Sequence, residues 1–166
     1  MRGVSTKRLS AAALLAAAIF AVTRFLPIPV PGTAGGYLNL GDSVIYATAM
    51  LVGGPLAAAS SAVGSALADL TYGAAAYIPA TFVIKGLMAL VAAAIMKRGG
   101  ARAYILAAVA GGAIMVLGYA AYEAVIFDVP YAIAAAPFNC VQWGGNAVIS
   151  AALYAGLKRL KPVAGL

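Results

Sequence analysis

The chain alternates between long apolar stretches and short breaks that are rich in Pro, Gly or charge. A membrane-spanning helix needs about 20 mostly apolar residues. Breaks such as PIPVPG, GGP and KRGGAR divide the chain into six such stretches, because proline and paired glycines end helices. The predicted spans are residues 9–26, 40–53, 56–72, 79–96, 104–127 and 137–157. This pattern predicts one all-α membrane domain, whose second and third spans are short enough to be tilted, irregular or paired in a tight hairpin.

Composition supports a lipid environment and removes several classes of function. Hydrophobic residues make up 64% of the chain and charged residues 9%, whereas a soluble domain carries about a quarter charged residues. An ordinary soluble enzyme and a disordered chain are therefore excluded. The chain has no His and one Cys, which excludes a zinc cluster, a haem ligand pair, a disulfide framework and a Ser/His/Asp triad. No nucleotide-binding P-loop motif is present either, so we expect no enzyme activity, no metal and no cofactor in this chain.

The basic residues predict the orientation in the membrane. Nine of the 11 Lys and Arg fall in three clusters, which precede the first span, separate the fourth from the fifth and follow the sixth. The positive-inside rule makes all three clusters cytoplasmic, and with them both termini. The opposite loops (27–39, 73–78 and 128–136) hold no Lys or Arg, so the net charge of +7 is a topology signal and nucleic-acid binding is not expected. The clusters are Arg2, Lys7 and Arg8; Lys97, Arg98 and Arg102; Lys158, Arg159 and Lys161.

The first apolar stretch has an alternative interpretation. A basic start followed by a short apolar run with Ala-x-Ala sites also resembles a signal peptide, and its cleavage would leave five spans. The stretch reaches about 18 residues before Pro27, which is enough for a span. We therefore expect a retained helix.

Costly polar side chains lie in the outer halves of the predicted spans. Such groups face a cavity or each other in membrane proteins, and three amides of the sixth span share one helical stripe. A proton relay or a channel would need polar residues across the whole membrane, so the asymmetry favours a pocket that is open outside and closed below. The candidate ligand-binding residues, with the loop residues and the Trp beside the stripe, are Tyr37, Asn39, Asp42, Asp69, Lys85, Glu123, Asn139, Gln142, Trp143 and Asn146.

Each candidate also has a structural interpretation. Asp69 and Lys85 could form an internal ion pair, and Asp42 could cap the second helix while Asn39 holds the preceding turn. The amide stripe could hydrogen-bond between helices, although we favour ligand contact. An interfacial aromatic belt is the alternative to a pocket wall for Tyr37, Tyr72, Tyr77 and Tyr131.

Small residues predict close helix contacts. Ala12 with Ala16, and Ala13 with Ala17, form small-xxx-small pairs on the first span, and such faces let helices approach closely. Chance produces the same spacing in a chain this rich in Ala. A further small-residue face in the third span combines Ser61, Ser65 and Asp69.

Two long segments carry a resemblance to a known family. They are GGYLNLGDSVIYATAMLVGGPLAAASSAVGSALADL and YIPATFVIKGLMALVAAAI, which contain G-Y-x-N-x-G-D, G-S-A-L-A-D and P-A-T-F-x-I-K-G. With the short basic start and the Ala-rich first helix, the chain resembles the substrate-binding S component of energy-coupling factor (ECF) transporters, of the riboflavin and hydroxymethylpyrimidine type. That family has six helices with both ends in the cytoplasm.

The resemblance implies a binding subunit of an ATP-driven importer in a prokaryotic plasma membrane. A vitamin would be captured from outside, under the loop between the first two helices and against helices four to six. The Ala face of the first helix would dock on a transmembrane coupling subunit attached to two ATPases, which hydrolyse the ATP. The alternative is a stand-alone carrier, channel or structural membrane protein.

The outer polar groups favour a neutral or weakly cationic ligand. No Arg lies within spans two to six except Arg102 at the cytoplasmic edge, whereas an acidic vitamin favours bidentate guanidinium pairing. Amides and aromatic side chains suit a flat ring that offers both donors and acceptors. We expect hydroxymethylpyrimidine, pyridoxine or riboflavin in preference to folate, biotin or pantothenate.

Overall fold

A computed structural model describes residues 5–33 and 36–159, and within them six α-helices run in alternating directions. This architecture confirms the predicted all-α fold. A two-residue antiparallel pair, β1 and β2, lies between the first two helices, and a 3-10 turn (Ala75–Tyr77) precedes the fourth. The elements are α1 Thr6–Phe25, β1 Ile28–Pro29, β2 Tyr37–Leu38, α2 Gly41–Leu51, α3 Gly54–Tyr72, α4 Ile78–Met96, α5 Gly100–Ile126 and α6 Val129–Leu157.

The sixth helix differs most from its predicted span. It begins at Val129 rather than near Pro137, so the predicted outer loop 128–136 is mostly helical. The Asp128 side chain caps the helix by accepting a 2.7 Å hydrogen bond from the Tyr131 N–H, and Pro130 lies in the first turn, where a missing N–H costs nothing. Pro137 lies inside the helix, and a proline there removes a single backbone hydrogen bond rather than marking the start.

The outer surface of the helices is strongly apolar. Leu14, Val125 and Val148 are 72%, 82% and 72% exposed, which is unfavourable in water and favourable against lipid tails. Among the described residues, three helical stretches are long and apolar enough to cross a membrane: Thr6–Phe25, Ala75–Met96 and Gly100–Ile126. These features identify a membrane protein.

Helix α2 is the centre of the packing. Its 11 residues rise only about 16 Å, too short to span a bilayer, and it contacts all five other helices. Every residue from Gly41 to Ala49 except Val44 is buried. Around it, α3 packs on α1 and α4, and α5 packs on α4 and α6. The side chains at the centre of this core are fully buried and include Ile19, Ile45, Tyr46, Met88 and Met115.

The basic clusters meet at one end of the bundle. The start of α1, the turn between α4 and α5 and the end of α6 lie together there, since Arg8, Lys97 and Lys158 line one cavity. Two residues of the predicted clusters, Arg2 and Lys161, lie outside the described residues. We call this end the basic end; β1, β2 and the 3-10 turn lie at the opposite end.

Candidate functional site

A cavity lies at the end opposite the basic end, beneath the segment that joins α1 to α2. Its volume is about 50 Å³. Side chains from that segment, α3, the 3-10 turn, α4, α5 and α6 line it, and we call it the tyrosine cavity. Its walls are Val30, Thr33, Gly36, Tyr37, Leu38, Asn39, Asp69, Tyr77, Thr81, Tyr119, Glu123, Ala135, Phe138, Asn139 and Gln142.

Two tyrosine–carboxylate pairs are the main polar feature of the tyrosine cavity. The Tyr37 hydroxyl donates to Asp69 Oδ1 at 2.6 Å, and the Tyr77 hydroxyl donates to Glu123 Oε1 at 3.1 Å. Asp69 Oδ2 and Glu123 Oε2 are buried and make no hydrogen bond of normal geometry, although the Thr81 hydroxyl is close enough to interact with the Asp69 carboxylate. Each carboxylate therefore keeps one acceptor oxygen available, and a buried acceptor without a partner costs about 1–3 kcal/mol.

Tyr37 remains a hydrogen-bond donor at physiological pH. Burial, and then the neighbouring Asp69, raise the pKa of this loop residue well above its usual value, because both disfavour the phenolate. The ring of Tyr37 also lies 4.3 Å from that of Tyr72, measured between centroids. The loop between α1 and α2 is thus anchored to the end of α3.

The remaining wall is aromatic and carries hydroxyl and amide groups. Tyr119 and Thr81 share a 2.9 Å hydrogen bond between their hydroxyls. Phe138 and Asn139 enter from α6, and the Asn139 side chain makes no hydrogen bond to the described residues. No Lys or Arg is among the described residues that line the cavity.

An ion pair lies behind the cavity in the protein interior. Lys85 Nζ is 2.5 Å from Asp42 Oδ1, and both side chains are about 3% exposed or less. Gln142 Nε2 donates to the other oxygen, Asp42 Oδ2, at 2.9 Å. The carboxylate is therefore satisfied on both sides, which offsets the cost of burying it. The alternative pair of Asp69 with Lys85 is not formed.

The amides of α6 fix the start of α2. Gln142 Oε1 accepts from the Asn39 N–H at 3.0 Å. Asn146 accepts from the Ser43 N–H at 2.9 Å and donates to the Asn39 carbonyl at 2.8 Å. Asn39 Oδ1 in turn accepts from the Gly41 N–H at 2.9 Å. This bond holds the turn before α2, which is the structural role that the sequence allowed for Asn39. These bonds satisfy backbone groups at a helix start that would otherwise be unpaired.

Trp143 packs between α5 and α6 rather than beside the cavity. Its Nε1 donates to the Ala108 carbonyl at 3.2 Å. A Cβ atom at Gly112 would lie 1.8 Å from Trp143 Cδ1, so only glycine leaves room for this ring. Glycine at position 112 thus lets α5 and α6 approach each other closely around the Trp143 ring.

The ten predicted binding residues therefore divide into two sets. Six line the tyrosine cavity: Tyr37, Asn39, Asp69, Glu123, Asn139 and Gln142. The other four lie behind it or between helices: Asp42, Lys85, Trp143 and Asn146. Ligand contact by these four stays a prediction.

Sequence reasoning missed several wall residues. Thr81 precedes Lys85 by four positions and Tyr119 precedes Glu123 by four, so helical periodicity from the two charged residues could have found both. Tyr77, which we assigned either to a belt or to the wall, lines the cavity. Nothing in the sequence indicated Phe138.

The two alanine pairs of α1 have different surroundings. Ser60 donates to the Ala12 carbonyl at 2.7 Å, and a Cβ at Gly64 would lie 2.5 Å from the Ala16 carbonyl oxygen. The face of Ala12 and Ala16 is therefore covered by α3. Ala13 and Ala17 are exposed.

Comparisons with known proteins give a family model, a relative and a solved structure that resemble this chain. A family model described as the ECF-type riboflavin transporter S component matches residues 3–159. An uncharacterized protein of Pyrococcus woesei is 34% identical over 150 residues, which are 88% of this chain and 99% of the relative. A solved S component of a bacterial ECF transporter superposes with a TM-score of 0.75 at 19% identity, over 92% of this chain and 96% of that one.

Proposed function

Since the chain belongs to the family of ECF-type riboflavin transporter S components, we propose that its tyrosine cavity captures a flat heteroaromatic vitamin or precursor from outside the cell. Family membership makes it a substrate-binding membrane subunit with a transport role rather than an enzyme. The proposal also assigns the class of ligand, the ATPase partners and a location in a prokaryotic plasma membrane.

The unpaired oxygens of Asp69 and Glu123 carry the argument for the ligand. Both oxygens are buried in a wall of aromatic rings, where a ring ligand with N–H or O–H donors would satisfy them while stacking on the tyrosines. An acidic vitamin would place like charges together without a Lys or Arg in the described wall. Hydroxymethylpyrimidine, pyridoxine and riboflavin fit this requirement better than folate, biotin or pantothenate.

The layer beneath the cavity favours a binding subunit over a channel. Nearly one turn further along α2 and α4 from Asp42 and Lys85 lie Ile45 and Met88, which are 0% exposed. Ions and water need a polar path, and this apolar layer interrupts it. A stand-alone channel is therefore the weaker alternative.

Ligand entry requires movement of the loop between α1 and α2. The cavity of about 50 Å³ is far below the roughly 300–1,000 Å³ of typical small-molecule pockets. Loop residues such as Tyr37 and Leu38 form its roof, and Tyr37 is held there by Asp69. If a donor group of the ligand replaced the Tyr37 hydroxyl at Asp69, the loop would be released and the cavity could widen.

Energy for transport is assigned to partner proteins. The chain has no P-loop motif, and the S component family implies association with other ECF transporter components. We propose a transmembrane coupling subunit with two ATPases, docked on the exposed Ala13 and Ala17 of α1.

Calorimetric titration of the detergent-purified chain with the six compounds tests the ligand class. We expect at least one neutral ring to bind, and Asp69→Asn or Glu123→Gln to weaken that binding by about tenfold or more, since each change removes a buried acceptor charge. Asn139→Leu should weaken it by roughly 1–3 kcal/mol. The matched control is Asp128→Asn, which removes an acid outside the cavity and should leave affinity unchanged.

Two results would contradict the proposal. Tight binding of folate, biotin or pantothenate with none of the neutral rings would show that the charge argument is wrong. Equal affinity in Glu123→Gln, Asp69→Asn and the Asp128→Asn control would show that the ligand binds elsewhere.

A further inference from the structure

A second and larger cavity lies at the basic end of the bundle. Its volume is about 780 Å³, within the range of about 300–1,000 Å³ of ligand-binding pockets. The start of α1, the turn between α2 and α3, the turn between α4 and α5 and the end of α6 enclose it. We call it the basic cavity. It shares no lining residue with the tyrosine cavity.

Uncompensated positive charge is the first feature of the basic cavity. Arg8, Lys97 and Lys158 line it from three separate parts of the chain, and no acidic residue does so among the described residues. Arg8 Nη2 donates to the Val52 carbonyl at 3.1 Å, while its Nε is buried without a partner. Arg8 is partly buried, whereas Lys97 and Lys158 are exposed. Cations of one sign that line a single cavity raise the local potential there and favour an anion.

Two helix starts add to the positive potential. Helices α3 and α5 begin at Gly54 and Gly100, which both line the cavity, and neither start has a side-chain cap. The glycine pairs Gly53–Gly54 and Gly99–Gly100 all have positive φ, a conformation that glycine adopts without strain. The helix dipole and the free N–H groups at such starts attract anions, phosphate above all. The start of α5 offers more of these donors than that of α3, whose second residue, Pro55, has no N–H.

The remaining wall of the basic cavity is apolar and aromatic. The rings of Tyr104 and Tyr154 lie 4.7 Å apart, and Met50 and Met96 complete the wall. A small inorganic anion would leave this surface uncovered, whereas a phosphate ester with an apolar body would cover it.

We propose that the basic cavity binds the phosphate group of an amphiphilic phosphate ester, with Lys97, Lys158 and Arg8 as cationic contacts. The group could come from an anionic phospholipid of the adjacent leaflet or from a soluble aromatic phosphate. Both sources share the charge and the apolar body that the walls accommodate. The site is independent of the vitamin proposed for the tyrosine cavity.

Paired charge variants separate this site from general surface charge. The test variant is Lys97→Gln with Lys158→Gln, and the control is Arg98→Gln with Arg159→Gln. The two control residues directly follow the two test residues in sequence but do not line the cavity. Both double variants lose two positive charges. Arg8 is left intact because it also holds the Val52 carbonyl.

Two probes distinguish the sources of phosphate. Phenyl phosphate is titrated against the detergent-purified chain by ³¹P NMR, and thermal stability is compared in nanodiscs of phosphatidylglycerol and of phosphatidylcholine. If the ligand is a soluble ester, we expect the test variant to lower the affinity for phenyl phosphate by about tenfold. If the ligand is a lipid, we expect it to abolish the rise in Tm that is specific to phosphatidylglycerol. The control variant should change the affinity less than about threefold and should keep the rise in Tm.

Each outcome decides the proposal. Binding of phenyl phosphate alone identifies a soluble ester, and stabilisation by phosphatidylglycerol alone identifies a lipid site. Equal losses in test and control variants would overturn the proposal, because surface charge would then account for binding. No response to either probe would overturn it as well.

Discussion

Asp42 and Lys85 form a buried ion pair, and Gln142 donates to the second carboxylate oxygen of Asp42. Asp69 and Glu123, at the cavity, each keep an unpaired oxygen. All four are charged side chains in apolar helices, so the sequence predicts buried polar groups without distinguishing support from site. The distinction depends on which partner the fold brings within 3 Å of each atom, and that depends on helix rotation.

Disruption of the ion pair tests its supporting role. Lys85→Met should destabilise the protein by about 3 kcal/mol, because it leaves the Asp42 carboxylate buried without its counter-ion. Asp42→Asn with Lys85→Met removes both charges and should cost clearly less than the sum of the single changes. Thermal unfolding of the purified chain in detergent measures the double-mutant cycle. Additive effects would mean that the two charges do not stabilise each other.

At the scale of elements, helix positions follow from apolar runs and breaks, and they are largely predictable. Five of the six helices begin within four residues of the prediction, and Ser5 and the two glycine pairs mark the starts of α1, α3 and α5. The early start of α6 was missed since Pro137 reads as a helix start. The central position of α2 was also beyond prediction, because packing order depends on contacts between distant segments.

The two faces of α1 give a prediction at the same scale. Ala17→Trp should abolish or strongly reduce transport while ligand binding and Tm stay unchanged, because Ala17 is exposed and a bulky side chain blocks a close helix crossing with a partner. Ala16→Trp should instead lower Tm, since the backbone of α3 lies against that position. Uptake assays with the coupling and ATPase subunits, and calorimetry of the purified variants, measure both effects.

The opposite results would reject this assignment. Normal transport by both Ala13→Trp and Ala17→Trp would show that the exposed face of α1 does not dock. Loss of ligand binding in Ala17→Trp would indicate a folding defect rather than a docking defect.

The whole molecule is polarised between its two ends. The tyrosine cavity has two carboxylates with unpaired oxygens, and the basic cavity at the other end has three cations. Charge clusters along the sequence predicted this polarity, since alternating helices bring every second turn to the same end. The basic cavity itself was not predicted, because its walls come from four separate chain segments whose spacing is set by packing.

The polarity leads to a prediction about orientation in the membrane. By the positive-inside rule the basic end faces the cytoplasm, so both termini should be there and the tyrosine cavity should open outside. Single cysteines at Gly3, Ala164 and Pro31, each in a Cys140→Ser background, are labelled in intact cells with a membrane-impermeant maleimide. We expect labelling of Pro31→Cys alone, and of the two terminal variants only after permeabilisation. Labelling of either terminal cysteine from outside would contradict the six-span orientation and, with it, capture of the ligand from outside.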